Sequence, residues 1–364
     1  MVSAIILTLV LAGTSTLTFN AQWVRVSGNI YITTYGVFPP TAPISTVDNI
    51  TYTLTGDIND SIVVQGDNII LDGNGFTVDG ANNSGKHGID VTDCDNVTVK
   101  NLKVTRWDYG IWVDSSSFPS NNTILNNSVT ECNWMAITMK QSTQSTISGN
   151  NLTDNNYGIW VQNSFSDTVS YNTITGSTSC ALYVDHYAHH NVFTGNVLKG
   201  KDIVDLYIAP YSHDNTITEN TINNVLYINS SPNNTFWNNS IGHVTNYEGY
   251  ANIWDNGEEG NYYSEYVMNY PNASEIDASS IWNTPYIIDA NNQDKHPRMF
   301  PIVHYAGDLN SNGIVEIFDE ILAASAFGSY PQQENWNMQV DLNYDGLIDI
   351  FDFIIFSGKF GNTV

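Results

Sequence analysis

The stretch DTVSYNTITGSTSCALYVDHYAHHNVFTGNVLKGKDIVDLYIAPYSHDNTITEN (residues 167–220) decides the fold, because it contains one short pattern three times. The lines DTVSYN, NVFTGN and NTITEN begin at Asp167, Asn191 and Asn215, at equal spacing, and each ends in asparagine. Further lines begin at Asn96, Asn122, Ser145 and Asn234. Seven lines thus follow one another at intervals of roughly 19 to 26 residues, and an internal repeat of this length is typical of a solenoid.

Three features recur within the lines. Asparagine stands five residues after each start, at Asn101, Asn127, Asn150, Asn172, Asn196, Asn220 and Asn239. An aliphatic residue follows two positions later in every line except the first. A short apolar segment closes most lines, at 109–113, 135–139, 157–161, 180–184, 204–208 and 225–228. Three short β segments per coil without intervening helices predict an all-β fold, a right-handed parallel β-helix in which stacked coils share one core.

The recurring asparagine has a physical explanation. A buried amide without hydrogen-bond partners is unfavourable. We therefore expect identical amides on successive coils, ~4.8 Å apart, to bond to one another as a ladder. A β-propeller needs repeats of roughly 40 residues, and leucine-rich repeats need leucine where this chain has asparagine, so the pattern favours neither.

The composition argues against several classes of function. The chain has 364 residues, with 11 Lys plus Arg against 37 Asp plus Glu and a formal net charge of −26. Binding nucleic acid requires a basic surface, which so few cations do not provide, so nucleic acid is not an expected partner. The acidic side chains suit divalent cations instead. The three cysteines have no paired spacing, so no disulfide framework is expected.

The ends of the chain predict export and a separate module. Residues 4–12 form a short apolar run followed by small residues, which predicts a signal peptide. Eleven N-x-[ST] sequons favour a secreted or cell-surface glycoprotein, and no other stretch is long and apolar enough to cross a membrane. The predicted segments are a signal peptide over 1–21, an N-terminal cap over 22–60, β-helix repeats over 61–244, a C-terminal cap and linker over 245–306, and a final module over 307–364.

Three segments, together with the asparagine lines, carry a resemblance to a known family. The opening GDNIILDGNGFTVDG (66–80) and the closing WDNGEEGNYYSEY (254–266) and TPYIID (284–289) resemble NosD-like β-helix proteins, especially archaeal secreted ones. The resemblance covers roughly residues 50–300 and implies the fold. It implies less about activity, because members include accessory, surface and sugar-active proteins. The family name adds a copper-related accessory protein as a third class of function.

Two matching segments, DLNSNGIVEIFD (308–319) and DLNYDGLIDIFD (341–352), have the internal spacing of calcium-binding loops. Each has oxygen-bearing side chains at positions 1, 3, 5, 9 and 12 and glycine at position 6, and the carbonyl at position 7 adds another hard oxygen of the kind that Ca²⁺ prefers. The predicted ligands of two calcium ions are Asp308, Asn310, Asn312, Ile314, Glu316 and Asp319 in the first loop and Asp341, Asn343, Asp345, Leu347, Asp349 and Asp352 in the second.

Each loop ends in Asp and runs into one apolar, helix-like stretch, over 317–328 and 350–361. These features resemble dockerin modules, and the resemblance covers 307–364. It implies a cohesin-like protein or another scaffold as partner. The contacts that it implies, near loop positions 10 and 11, are Ile317, Phe318, Ile350 and Phe351.

Strand alternation places one residue per coil on the outside of the third segment. Ile111 and Val113 must point inward, so Trp112 points outward. The residues at this position, here called the aromatic column, are Trp112, Thr138, Trp160, Tyr183, Tyr207 and Tyr227. Its five rings predict binding of polysaccharide or glycan, because apolar sugar faces stack on aromatic rings. The alternatives are that the rings stack across coils and only stabilise the rod, or that a loop covers them.

Other side chains are candidates for metal binding or catalysis. His189 and His213 occupy the same position in successive coils, so they are expected to stack within ~5 Å. With Asp185 and Asp214 they suggest a transition-metal site, and solvated turn histidines are the alternative. The candidate carboxylates for catalysis are Asp108, Asp114, Asp154, Asp185 and Asp205.

The sequence therefore predicts a secreted β-helix protein that binds polysaccharide or glycan and docks to a scaffold through a calcium-dependent module. A polysaccharide hydrolase or lyase carried by the same module is the alternative, since no catalytic motif identifies its residues.

Overall fold

The structure is a computed structural model that describes residues 28–115, 120–201, 204–277, 279–302, 317–330 and 347–358, with positions 315, 335, 340, 342 and 360. Within these residues the chain forms 28 β-strands and three short helices. Most of the strands belong to the coils of a parallel β-helix, which confirms the predicted all-β fold. The predicted signal peptide lies outside the described residues.

The first strand of each coil belongs to a ten-stranded sheet. Its parallel strands are β4 (Thr51–Leu54), β6 (Ile70–Asp72), β8 (Thr98–Lys100), β10 (Thr123–Leu125), β13 (Thr146–Ser148), β16 (Thr168–Ser170), β19 (Val192–Thr194), β22 (Thr216–Thr218) and β24 (Thr235–Trp237). At the N-terminal edge β3 (Ile44–Ser45) pairs antiparallel with β4.

The second and third strands of each coil form a sixteen-stranded sheet, because several long strands continue through the corner between them. The long strands are β7 (Thr77–Thr92), β9 (Lys103–Asp114), β23 (Thr221–Asn229) and β25 (Ser240–Tyr247). The short second strands are β11 (Ser128–Thr130), β14 (Asn151–Thr153), β17 (Thr173–Thr175) and β20 (Val197–Lys199). The short third strands are β12 (Met135–Lys140), β15 (Tyr157–Gln162), β18 (Cys180–Asp185) and β21 (Val204–Ile208). The ends of the sheet are β1 (Ile30–Thr33), β2 (Gly36–Phe38), β5 (Ile62–Gln65) and β26 (Tyr262–Tyr263).

Short strands and left-handed corners follow directly from the repeated lines. In β10 the central Ile124 is buried while its threonine and leucine neighbours are partly exposed, as alternation in a strand requires. The residue after each such strand turns the corner in the left-handed region, as at Asn126 (φ 54°) and Gly195 (φ 68°). At Gly195 the ring of Tyr171 occupies the space that a side chain would need, so a larger residue there would have to displace that ring.

The predicted asparagine ladder is present. The amide ladder consists of Asn127, Asn150, Asn172, Asn196, Asn220, Asn239 and Asn261. Each side-chain Nδ2 donates to Oδ1 of the next rung at 2.8–3.1 Å, and that Oδ1 also accepts from the backbone N–H of the preceding rung. Every rung is buried, so the ladder satisfies amides that no solvent reaches.

The first predicted rung, Asn101, was wrong by one position. Thr98 pairs with Thr123, so Leu102 lies beneath Asn127 and takes the ladder position as a buried apolar residue. Asn101 is an exposed corner residue with φ 56°, and its side chain donates to Asp72. The sequence carried a sign of this shift, because the first line alone lacked the aliphatic residue that Val104 supplies in the corrected register.

A second ladder, which the sequence analysis did not predict, runs through the starts of the lines. Its members are Asn122, Ser145, Asp167, Asn191, Asn215, Asn234 and Asn252. Each side-chain oxygen accepts from the backbone N–H of the previous member at 2.7–3.1 Å. Asp167 is fully buried in this series, and burial raises its pKa to about 7.

One hairpin closes both ladders at the C-terminal end. It consists of β27 (Tyr286–Asp289) and β28 (Asn292–Asp294). Asn292 Oδ1 accepts from the backbone N–H of Asn252, and Asp294 Oδ2 accepts from that of Asn261 at 2.6 Å. The ring of Tyr286 also stacks on Tyr263 with centroids 3.8 Å apart. The aromatic segment after the repeats therefore caps the core.

The parallel strands extend beyond the predicted repeat region of 61–244, from β1 at the N-terminal end to β26 at the other. Beyond them lie the helices α1 (Tyr266–Asn269), α2 (Ile317–Ser325) and α3 (Ile350–Ser357). A small apolar cluster of Ala323, Ala326, Val340 and Ile348 packs the last two together. Among the described residues no helix is long and apolar enough to span a bilayer.

Candidate functional site

The aromatic column has the register that strand alternation predicts. Its Cα pairing passes through one residue per coil, in the order Trp112, Thr138, Trp160, Tyr183, Tyr207 and Tyr227. The neighbours Ile111 and Val113 are fully buried, as the outward position of Trp112 requires. One residue from each of six successive coils is thus brought to a single outer face.

From Trp160 onward, neighbouring rings of the column are in contact, and Tyr183 and Tyr207 are stacked with their planes at 10°. Ring centroids are 5.4 Å apart for Trp160 and Tyr183, 5.0 Å for Tyr183 and Tyr207, and 5.2 Å for Tyr207 and Tyr227. Each ring is partly exposed rather than fully exposed. Cross-coil stacking and an outward aromatic surface therefore coexist in the same residues.

At the N-terminal end of the column, His87 stacks on Trp112 with ring centroids 4.7 Å apart and planes at 8°. His87 Nδ1 lies 3.0 Å from Asp90 Oδ2. Burial opposes ionisation of Asp90, but hydrogen bonds from His87 and Thr92 outweigh it and hold the pKa of Asp90 below its usual value. The carboxylate therefore remains charged beside the first ring.

A polar row runs beside the column, two residues further along each third strand. Its members are Asp114, Lys140, Gln162 and Asp185. Lys140 Nζ is 2.8 Å from Asp114 Oδ2 and 5.9 Å from the centroid of the Trp112 ring. The row places hydrogen-bonding groups along one side of the aromatic surface.

Asp185 links the polar row to the rings. Its buried carboxylate accepts from Trp160 Nε1 at 3.1 Å and Gln162 Nε2 at 3.3 Å, and it also pairs with His186. Burial raises the pKa of Tyr183, and the charge of Asp185 raises it further, so the phenol stays protonated as a hydrogen-bond donor. Asp185 therefore fixes the orientation of Trp160.

The remaining candidate carboxylates have structural surroundings. Asp108 is buried and accepts from Asn133 Nδ2 at 2.8 Å. Asp205 is fully buried and accepts from the backbone N–H of Gly200 at 2.6 Å, and burial raises its pKa. Asp154 lies at an exposed corner with φ 55°. Each of these three carboxylates lies away from the polar row, so the structure does not assemble them into one site.

The histidine stack is present as predicted. The rings of His189 and His213 are 5.3 Å apart at 6°, and Phe165 extends the stack by another 5.3 Å. His190 Nδ1 lies 2.9 Å from His189 Nδ1, and His213 pairs with Asp214 at 2.7 Å. Across the described part of the chain, no group of three or more His, Cys, Asp or Glu side chains is arranged to hold a metal ion. The residues placed here do not fit a transition-metal centre.

Two exposed tyrosines were missed by the sequence analysis. Tyr187 and Tyr211 stack with centroids 5.4 Å apart, and each is more than half exposed. Their separation along the chain equals that of the line starts Asp167 and Asn191, so the repeat itself was the signal. His87 had no such signal, because β7 contains register shifts before the column.

Most of the predicted calcium ligands lie outside the described residues, including all of those at positions 1, 3 and 5 of both loops. Those described are Asp319, Leu347, Asp349 and Asp352. Asp319 and Asp352 are fully buried, and Asp352 accepts from the backbone N–H of Leu342 and Asp349 at 2.8 Å. Both position-12 carboxylates are thus withdrawn from solvent.

The predicted partner contacts of this module are apolar and exposed. Ile317, Phe318, Ile350 and Phe351 are each at least half exposed at the start of α2 and α3. The two helices therefore present the same pair of side chains to solvent.

Comparisons with known proteins give a family and a distant structural likeness. A family model described as periplasmic copper-binding protein (NosD) matches residues 29–268. A crystal structure of the enzymatically active domain of tailspike protein 2 from bacteriophage CBA120 aligns with 12% identity and a TM-score of 0.37, over 63% of this chain and 37% of that one. The chain thus spans little more than a third of the tailspike protein that it matches. The curated proteins contain no match.

Proposed function

This chain belongs to the NosD family of β-helix proteins, and from that premise we propose that it is an exported protein that binds polysaccharide or glycan along its aromatic column. The observation that carries the proposal is the in-register series of partly exposed rings from Trp112 to Tyr227. Sugar rings present apolar faces to aromatic side chains and hydroxyl groups to polar ones. The polar row beside the column supplies the second kind of contact.

Docking to a scaffold through the C-terminal module is the second part of the proposal. It is supported by the two aligned loop sequences, by the buried carboxylates of Asp319 and Asp352, and by the exposed Ile-Phe pairs of α2 and α3. Two calcium ions would be held by the twelve predicted loop ligands, and each would order its loop by neutralising clustered carboxylates. The partner would be a cohesin-like or other scaffold protein with an apolar surface.

Copper binding and polysaccharide cleavage are not part of the proposal. The described histidines do not form a three-ligand group, so the copper of the family description has no site among the residues placed here. The buried carboxylates Asp108 and Asp205 already serve as acceptors for groups of the fold. No observation favours copper binding or polysaccharide cleavage over the binding of polysaccharide.

The test is retention of the protein on immobilised polysaccharides, with affinities measured by isothermal titration calorimetry. Trp160→Ala should weaken binding about fivefold to tenfold, because one ring contributes about 1 kcal/mol beyond its buried area. Trp237→Ala is the matched control, since Trp237 is also partly exposed but lies on the ten-stranded sheet. Its affinity should equal that of the natural protein. If no polysaccharide retains the natural protein and Trp160→Ala lowers only the melting temperature, the column is purely structural.

A further inference from the structure

One position of the aromatic column lacks a ring. Thr138 stands between Trp112 and Trp160, which lie two coils apart at ~10 Å. From Trp160 onward, consecutive rings in the column have centroids 5.0–5.4 Å apart and contact one another. The column is therefore interrupted once, at the coil of β12.

Each tryptophan that flanks this interruption has an aromatic partner on its far side. His87, from the preceding coil, stacks on Trp112, and Tyr183, from the following coil, packs against Trp160. The register places Thr138 on the opposite side of each tryptophan from these partners. The two tryptophans thus border one position without a ring, here called the gap, which lies at the coil of Thr138.

The floor of the gap contains an unpartnered polar atom. Thr138 is 2% exposed, and within the described residues its Oγ1 has no hydrogen-bond partner. Buried hydroxyl groups are nearly always hydrogen-bonded, because leaving one unpaired is unfavourable. At this position a bound hydroxyl group would supply the missing partner.

We propose that Thr138, Trp112 and Trp160 form a subsite for one neutral pyranose unit of a polysaccharide chain. This inference rests on the proposed function, since it assigns one sugar unit to a place within the column. A pyranose ring has two apolar faces for the indoles and hydroxyl groups for Thr138 Oγ1 and the polar row. Planar apolar ligands fit the indoles but leave Thr138 unpaired.

The charge of the surroundings excludes an acidic sugar from the subsite. Lys140, the cation beside the gap, is already paired with Asp114 at 2.8 Å. Asp90 remains charged on the other side of Trp112, and the chain as a whole carries −26. A uronate would be repelled by these carboxylates without a free cation in the polar row to receive it.

Access of a sugar unit to Thr138 requires neighbouring side chains to move. Thr138 is covered in the free molecule, and Lys140 extends beside Trp112 with about a third of its side chain exposed. The methylene chain of Lys140 can change rotamer while Nζ stays paired with Asp114. A sugar unit would displace the Lys140 chain and exchange its contact with the Trp112 ring for its own.

Two substitutions at one position test the subsite. Thr138→Val keeps the shape and removes the hydroxyl group, so affinity for neutral hexasaccharides such as cellohexaose, mannohexaose or xylohexaose should fall about threefold to tenfold without loss of melting temperature. Thr138→Tyr fills the gap and makes the ring column continuous, so affinity should fall more than tenfold while the melting temperature is maintained or rises. Trp160→Ala and Trp237→Ala are measured in the same series.

The outcomes separate this inference from the function on which it rests. Full affinity in both Thr138 variants, with Trp160→Ala still weakened, would overturn the subsite and leave the proposed function standing. Tighter binding of polygalacturonate than of neutral chains would overturn the assignment to a neutral sugar. Absence of any binding by the natural protein would overturn both. If Thr138→Tyr fails to fold, the Thr138→Val result decides alone.

Discussion

The side chain of Asn172 donates to Oδ1 of Asn196 at 3.0 Å, and Asn172 Oδ1 accepts from both the backbone N–H and the side-chain amide of Asn150 at 2.9 Å. One buried residue therefore satisfies groups in the coil before it and the coil after it. The same relationship recurs along the amide ladder, so the coils are joined by side-chain bonds as well as by strand pairing. This linkage leads to the first prediction.

Asn172→Leu should destabilise the protein clearly. It leaves the buried N–H of Asn150 and Oδ1 of Asn196 each short of a partner, and each unsatisfied group costs about 1–3 kcal/mol. Thermal unfolding followed by circular dichroism measures the change. Asn151→Leu is the control, because Asn151 is exposed in β14 and should change stability by less than about 0.5 kcal/mol. Equal effects at the two sites would contradict the ladder. Asn163 is a less suitable control, because its φ of 49° disfavours leucine.

Asp167→Asn should stabilise the protein, and more so at pH 8 than at pH 4. The pKa of Asp167 is raised to about 7 in the folded state, so the folded state retains a proton that the unfolded state loses between pH 4 and 7. Stability therefore falls as pH rises through this window, by up to about 4 kcal/mol. Asparagine removes this dependence, and its Nδ2 can donate to a carbonyl as Asn191 does to Ser164. Melting temperatures across pH 4–8 measure this dependence, and parallel curves for the natural protein and Asp167→Asn would refute the prediction.

Gly260→Ala should weaken the C-terminal cap. A Cβ at this position would overlap the carboxylate of Asp294, which accepts from Asn261 N at 2.6 Å and Tyr263 Oη at 3.1 Å. We expect a loss of about 1–3 kcal/mol, measured by denaturant unfolding. Gly56→Ala is the control, since its Cβ would meet only Pro43 at an ordinary 3.5 Å. A larger loss in the control than in Gly260→Ala would show that the cap is not the sensitive element.

The full chain should bind two calcium ions, the second loop more tightly than the first. The second loop has four carboxylates among its predicted ligands and the first has three. Isothermal titration calorimetry should give two sites, and Asp352→Asn should remove or greatly weaken one of them. Asp277→Asn, on an exposed loop before β27, should leave both sites unchanged. Unaltered stoichiometry and affinity in Asp352→Asn would contradict the assignment of the loop.

The sequence predicted those features of the fold that depend on a local period. The outward position of Trp160 followed from alternation within one strand, and the ladder from asparagines spaced by a coil. The first rung was misplaced because Asn101 and Asn127 align when the repeats are compared by sequence alone, whereas strand pairing sets Leu102 against Asn127. The second ladder was overlooked because Ser145 and Asp167 interrupt the asparagines that mark it.

The features that could not be predicted depend on contacts between distant segments. Asp294 meets Asn261 across a long stretch of irregular chain, and no period relates them. His87 reaches Trp112 only because register shifts in β7 bring it there. The hydroxyl group of Thr138 is unpaired because of the way its neighbours bury it. A threonine among aromatic residues in the sequence did not reveal this.

The hairpin that closes both ladders has a consequence for how the chain folds during synthesis. Every rung accepts hydrogen bonds from the coil before it. In a chain that folds from its N-terminal end, the last folded coil therefore exposes unpaired backbone donors until the next coil has been made. Asn292 ends this series by turning its own amide back to Asp289 and to the carbonyl of Tyr250. The β-helix is consequently complete only when Asp294 has been made. A chain that ends before that point leaves the buried backbone N–H of Asn261 without its acceptor. A chain that folds coil by coil from its N-terminal end thus completes both ladders at this hairpin, immediately before the segment that leads to the C-terminal module.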